Sequence, residues 1–469
     1  MALLDRWFDA AAGLICLPNT GRHDTRASVY YALGLLRRNG SDASGRAEAI
    51  LRVVSALQWH CPGQPWHGTF ARFPEEFVER QSMRVWHDYD PNWREFLGTA
   101  FILLLDRYRD RLSDPAATTL EQTLTEAAEG AYTRDVPAGY TNAALMSAFL
   151  LVWCGARFRE PSWSTQGERL ARQIHERYSR HETFPEYNSP TYYGVDLCAL
   201  VLWRSRMAPQ WMRALGTTME RGLWGDIARF FNPSLGTLCG PWLRSYGMDM
   251  NAYCALLGLW IAAATDERLV PLPRFDQPFG HAHDIAFAPL VAELADTAGV
   301  EAARQLDSAS LPRTLSRPIR DTLSLTATAH LAQDIMLGGL SASEGLARKH
   351  APQCYPGTVH WRTPSGPLGW LRVFADQPLD VTAKPGVLSV RALADDEPQP
   401  RYGIGMEVSV PGGVKPDVLR SHAWRLPGLT VDITTATAVA AVESDGSSIS
   451  AWFDADTVNC RLQAIHTMT

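Results

Sequence analysis

Charge-poor stretches of about nine to fourteen residues recur through the first two thirds of the chain: TAFILLLDRY (99 to 108), TNAALMSAFLLVWC (141 to 154), VDLCALVLW (195 to 203) and AYCALLGLWIAAA (252 to 264). A helix that is apolar all round is a buried helix. Between these runs lie LEQTLTEAAEGAY (120 to 132), STQGERLARQIHERYSR (164 to 180) and APQWMRALGTTMERGLW (208 to 224), charged on one face only. Buried and half-exposed helices therefore alternate, joined by short segments containing Pro, Gly and Asp. An inner ring of buried helices, each paired by an antiparallel hairpin with an outer amphipathic one, produces this alternation. The expected fold is an α/α toroid over residues 1–315.

The texture changes beyond about residue 320. Short alternating runs such as TVHWRT, LGWLRVFA, VLSVRAL, GIGMEVSV and LTVDITTATAVAAV are separated by TPSGP, DDEPQP (395 to 400) and PGGV. These are strand and turn signals. Residues 316–469 are expected to form an antiparallel β-sheet or sandwich domain, so the fold class is mainly α with a C-terminal β domain.

A polar, aromatic-rich segment stands ahead of each apolar run: HDYDPNW (87 to 93), GYTN (139 to 142), PEYNSPTYYG (185 to 194) and RSYGMDMN (244 to 251). Asn92, Asn142, Asn188 and Asn251 are spaced 50, 46 and 63 residues apart, about one helical hairpin each. If the inner helices run parallel, these segments gather at one mouth of the toroid. Helix capping accounts for single Asn, Ser, Asp and Pro residues here. It does not call for Glu186, Tyr187, Tyr192 and Tyr193 within the same stretch. The expectation is one concave site, with Asp90, Asn142, Asn188 and Asn251 around it and Trp93 and Tyr193 in its lining.

The layout of helical toroid and β domain, with Asn, Tyr, His and Arg at the mouth, resembles the polysaccharide lyases of the heparinase II/III, alginate lyase and chondroitin AC lyase groups. The resemblance covers most of the chain and rests on architecture and residue types. It implies an Asn, helped by His or Arg, that holds a uronate carboxylate, and a Tyr or His that takes the C5 proton. The implied activity is β-elimination on a uronate-containing oligosaccharide. A proton beside a carboxylate is weakly acidic, so donors must stabilise the enolate-like charge as it develops. Asn142, Asn188, Asn251 and Arg244 are the candidate donors. A phenol near pKa 10 serves as base only where neighbouring cations lower that value, and Tyr192, Tyr193 and Tyr246 are the candidates.

The same segments hold Asp88, Asp90, Glu186 and Asp249. An inverting glycoside hydrolase on an α/α toroid needs two such carboxyls and is the alternative. A dehydratase or cyclase acting on a non-carbohydrate molecule is a further one. A carbohydrate-binding protein without activity would need neither a base nor a carboxylate. GHAHDI brings His281 and His283 beside Asp284, a set suited to orienting a carboxylate, acting as a base or holding a metal; no metal is assigned. HCPGQPWHG places His67 in a loop read as closing over the pocket.

Composition adds exclusions. Across 469 residues, 46% are hydrophobic, enough for sizeable cores, and a net charge of -6 leaves no basic footprint for nucleic acid. The 16 Trp, 14 Tyr and 16 Phe suit an aromatic-lined sugar site as well as a core. Apolar runs shorter than about 20 residues speak against membrane spans. Eight scattered cysteines without a C-x-x-C pair read as reduced thiols. Asp5, Arg6 and Asp9 interrupt any apolar signal core, so a cytoplasmic location is expected. No phosphate-binding loop or dinucleotide fingerprint occurs, and no cofactor is expected.

Overall fold

The computed structural model describes residues 1–469 apart from 19, 79–81, 277–278, 297, 299–305, 308, 321–324, 342–352, 395–400, 445–447 and 466–469. The expected turn at 395–400 lies outside the described residues. The described N-terminal part is helical: α1 Ala2–Trp7, α2 Thr25–Arg38, α3 Ala43–Ser55, α4 Trp93–Arg107, α5 Asp114–Arg134, α6 Thr141–Phe158, α7 Pro161–Ser179, α8 Tyr192–Arg204, α9 Gln210–Phe230, α10 Leu256–Ala264 and α11 Ala288–Ala295.

The two helix classes are physically distinct. On α8 every residue from Tyr192 to Trp203 is buried, as an apolar-all-round sequence requires. On α7 the buried residues are Trp163, Gly167, Leu170, Ala171, Ile174 and Tyr178, a stripe at three- and four-residue spacing. Helices α2, α4, α6, α8, α10 and α11 touch in a closed cycle, with α11 returning to α2. Helices α3, α5, α7 and α9 each pack on the preceding member of the cycle and on one another. The cycle thus includes α2 and α11, which the apolar runs had not marked. Helix α6 is the one described helix long and apolar enough to cross a membrane, and most of it is buried in this core.

Two antiparallel sheets follow. One has eight strands, from Arg313–Arg320 at one edge to Val439–Ser444 at the other; the second has five, with Thr457–Ala464 at its centre. Their facing sides share a core in which Leu337, Val359 and Leu371 of the first meet Val381, Leu388 and Val431 of the second. The eight-stranded sheet also grips the helical part. Trp242 and Tyr355 exchange backbone hydrogen bonds of 3.1 and 2.8 Å, the Ser245 N–H donates to Gln353 O at 2.9 Å, and His360 Nε2 donates to Met248 O at 2.7 Å. The segment between α9 and α10 is therefore positioned by the β domain.

Candidate active site

Six helices of the closed cycle bring their N-terminal ends to one pocket of about 250 Å³, through Arg26 (α2), Trp93 (α4), Asn142 (α6), Tyr192 (α8), Leu256 (α10) and Phe287, which precedes α11. Each end contributes the positive pole of its macrodipole, with some of its first N–H groups capped, as by Ser189 Oγ at the Tyr192 N–H, 2.9 Å. The pocket accordingly favours negative charge before any side chain is counted.

Two arginines add to this. Arg26 is buried, its guanidinium lying 4.6, 4.9 and 4.8 Å from the ring centres of Trp93, Phe96 and Phe287, and 3.8 Å from Asp284. Arg244 lies 4.1 Å over the Tyr192 ring, donates to Glu186 and donates from Nε to Gln353 at 2.9 Å. Burial disfavours its charge, but Tyr192 and Glu186 outweigh that and raise its pKa. Glu186 also accepts from Asn142 Nδ2 at 2.7 Å. It lies behind the pocket wall, holding two lining side chains in place.

Tyr192 and Tyr246 join hydroxyl to hydroxyl. Burial, reinforced by Tyr246, raises the Tyr192 pKa, so that phenol keeps its proton. Tyr246 is 37% exposed and stacks on His281 with ring centres 4.5 Å apart and planes at 17°. Burial lowers the His281 pKa. His283 also lines the pocket, 3.3 Å from Asp284, and burial, helped by Arg26, brings its pKa down to about 4. Burial raises both Asp90 and Asp284. Asp90 accepts the Asn92 N–H at 2.8 Å, and Asn92 in turn donates to the Tyr140 hydroxyl at 2.8 Å.

The structure therefore brings Asp90, Trp93, Asn142, Tyr192, Arg244, Tyr246 and His283 to the pocket lining, with Glu186 and His281 directly behind. Six expected residues are elsewhere, among them Asp88, which accepts the Arg84 N–H at 2.8 Å. Asn188 adopts the left-handed conformation, φ 54°, and its amide donates to the carbonyls of Cys239 and Pro241 at 2.7 and 2.9 Å; it fixes a turn. Tyr193, one residue round the helix from Tyr192, is fully buried and donates to Asp226 at 3.1 Å. Asp249 accepts from the backbone and side chain of Asn251 at 2.9 and 2.8 Å, a local turn away from the pocket lining. His67 packs near Glu126 instead of closing over the pocket.

Arg26, Tyr140, Trp86 and Phe287 line the pocket without having been expected. Arg26 carried a signal. Asp24 caps α2, accepting the Ala27 N–H at 2.7 Å, and a cap ahead of an apolar helix was the pattern that marked the other segments. Asp196 was also missed. It lies one turn along α8 from Tyr192, fully buried, with no hydrogen-bond partner for either carboxyl oxygen among the described residues. Burial, then Glu186, raises its pKa well above the ordinary carboxylate range.

Among solved structures the chain is similar to heparinase III (10% identity over 92% of this chain and 74% of that one, TM-score 0.43). It is also similar to a heparan sulfate lyase from Pedobacter heparinus (10%, covering 94% and 76%, TM-score 0.30) and to a glycoside hydrolase (10%, covering 98% and 75%, TM-score 0.34). These neighbours include the group that the sequence resembles. No curated protein matches the chain. Residues 1–296, more than half of the chain and all of the described pocket lining, match one family, and the protein belongs to it: Domain of unknown function (DUF8769).

Proposed function

We propose that the protein is a carbohydrate-active lyase that cleaves a uronate-containing oligosaccharide by β-elimination. In this reading the closed helical cycle is an α/α toroid, the β domain expected from residue 316 takes in the whole of strand Arg313–Arg320, and the pocket is the active site. The observation that carries it is the Tyr192–Tyr246 hydroxyl pair in a pocket built from six helix N-termini and two arginines.

The parts divide the chemistry between them. Arg26, Asn142 and the helix ends hold the carboxylate and stabilise the enolate-like charge that forms when the adjacent proton leaves. Tyr246, on the open side and acting as a phenolate, takes that proton and passes it to the glycosidic oxygen as the C4–O bond breaks, so the leaving sugar departs as an alcohol and the double bond forms between C4 and C5. Tyr192 keeps its own proton and donates it in a hydrogen bond to the Tyr246 oxygen, which stabilises the phenolate. Arg244 over the Tyr192 ring strengthens that donor. Trp86 and Trp93 offer apolar faces to sugar rings.

A hydrolase reading has one specific observation in its favour: Asp90 and Asp284 both line the same pocket, both with raised pKa values. Incubation with a panel of uronate-containing oligosaccharides separates the two. Elimination creates a conjugated, ultraviolet-absorbing unsaturated uronate together with each new reducing end. Reducing ends without that absorbance would replace the lyase by the two-carboxylate hydrolase.

A further inference from the structure

Away from the pocket, the loop from His60 to His67 lies against the C-terminal half of α5. His60 Nδ1 is 2.9 Å from Glu126 Oε2, and His67 Nε2 is 3.2 Å from the same oxygen and 3.4 Å from Glu129 Oε2. The His67 side chain is 3% exposed. Its Nε2 and the Glu126 Oε2 are both buried with no hydrogen-bond partner among the described residues. Two polar atoms thus face each other at the right distance but the wrong angle to bond.

The backbone is built to hold this approach. A Cβ on Gly68, which has φ +71°, would lie 2.0 Å from the Glu126 carbonyl oxygen, and one on Gly130 would lie 2.1 Å from that of His67. Loop and helix are flush, and glycine at both positions is what allows it.

We propose that His60, His67 and Glu126, whose ligand atoms all lie within 4.8 Å of one another, form a zinc-type metal site that clips the loop to α5, with Glu129 at its edge, 3.4 Å from His67 Nε2. Two imidazoles and carboxylates are a set that Zn²⁺ accepts. Tetrahedral zinc with ligands at about 2.1 Å spaces its ligand atoms about 3.4 Å apart; Glu126 Oε2 lies 2.9 and 3.2 Å from the two imidazole nitrogens, so small outward shifts of these side chains would admit the ion. In the metal-free tautomer His67 Nδ1 accepts the Cys61 N–H at 3.2 Å. Coordination through Nε2 moves the ring proton to Nδ1 and breaks that long bond, so the loop at Cys61 must shift to separate the two N–H donors while a metal–nitrogen bond forms at Nε2. The clip bears on the pocket from behind: Thr69 donates to the Asp90 carbonyl at 2.8 Å, and Trp66 packs edge-on against Tyr89 with ring centres 6.0 Å apart.

The test uses the full chain, stripped with a chelator and titrated with Zn²⁺ alone, with bound metal counted by elemental analysis and the thermal midpoint followed. One zinc per chain and a midpoint that rises with Zn²⁺ are expected. His60→Ala and Glu126→Gln should each weaken binding at least about tenfold. The His60 side chain is 72% exposed, so its removal leaves the fold intact, which circular dichroism verifies. Absence of binding in the wild-type chain overturns the proposal. So does unchanged binding in both variants, which would place the ion elsewhere, for example at His281, His283 and Asp284, whose ligand atoms also cluster.

Discussion

Tyr192 and Tyr193 are neighbours in the chain and face different surroundings. A helix turns its side chains by about 100° per residue. Tyr192 therefore reaches the pocket while Tyr193 is buried against Asp226. The sequence put both in one polar segment and could not separate them, because the phase of a helix that is apolar on every side leaves no mark in its pattern. The same ambiguity placed Asn188 with Asn142, although one fixes a turn and the other lines the pocket. Two variants divide the roles. Tyr246→Phe should lower turnover about 10² to 10⁴ fold, with a stability loss of no more than about 1 kcal/mol from the broken hydrogen bond to Tyr192. Tyr193→Phe should cost about 1 kcal/mol of stability by losing a buried hydrogen bond, with turnover of the folded enzyme intact. Steady-state kinetics beside urea denaturation checks both.

At the scale of elements, the alternation of charge-poor and one-sided helices was legible because burial and amphipathicity are local properties of a sequence. The closure of the cycle was less so. Arginines at both ends of α2, Arg26 and Arg37–Arg38, hid a helix whose residues from Thr25 to Leu36 are all buried. Close approach was not legible either. A Cβ on Gly194 of α8 would lie 2.6 Å from backbone atoms of Leu256 and Leu257, and Trp260 Nε1 donates to the Gly194 carbonyl at 2.9 Å. Gly194→Ala should push α8 and α10 apart where they flank the pocket. The expected cost is about 1 to 3 kcal/mol, read from urea denaturation, and it should exceed that of alanine at Gly225, where nothing lies within 4 Å of a Cβ.

On the whole-molecule scale, the β domain holds the segment that carries Arg244 and Tyr246, an arrangement that joins residues more than a hundred positions apart and leaves no periodic trace. His360 is its most telling contact, fully buried with Nε2 donating to Met248 O. Burial lowers its pKa from 6.5 to about 4, partly countered by that hydrogen bond. The folded state therefore favours neutral imidazole. This contribution is fully present above pH 6.5 and is lost as pH falls toward about 4, by about 3 kcal/mol in all. His360→Gln keeps a donor but cannot titrate. Between those pH values the unfolding free energy of the variant should fall less steeply than that of the wild type, as urea titrations at several pH values will show.

The central claim is that this pocket breaks its bond by elimination. Cleavage in water labelled with heavy oxygen, followed by mass spectrometry of both fragments, tests it most directly, because hydrolysis must place a water oxygen in the product and elimination must not. The account predicts an unsaturated fragment and no solvent oxygen incorporated by cleavage, after correction for exchange at the reducing end in an unreacted control. One heavy oxygen per bond broken and no unsaturation would contradict it, and would assign the chemistry to Asp90 and Asp284.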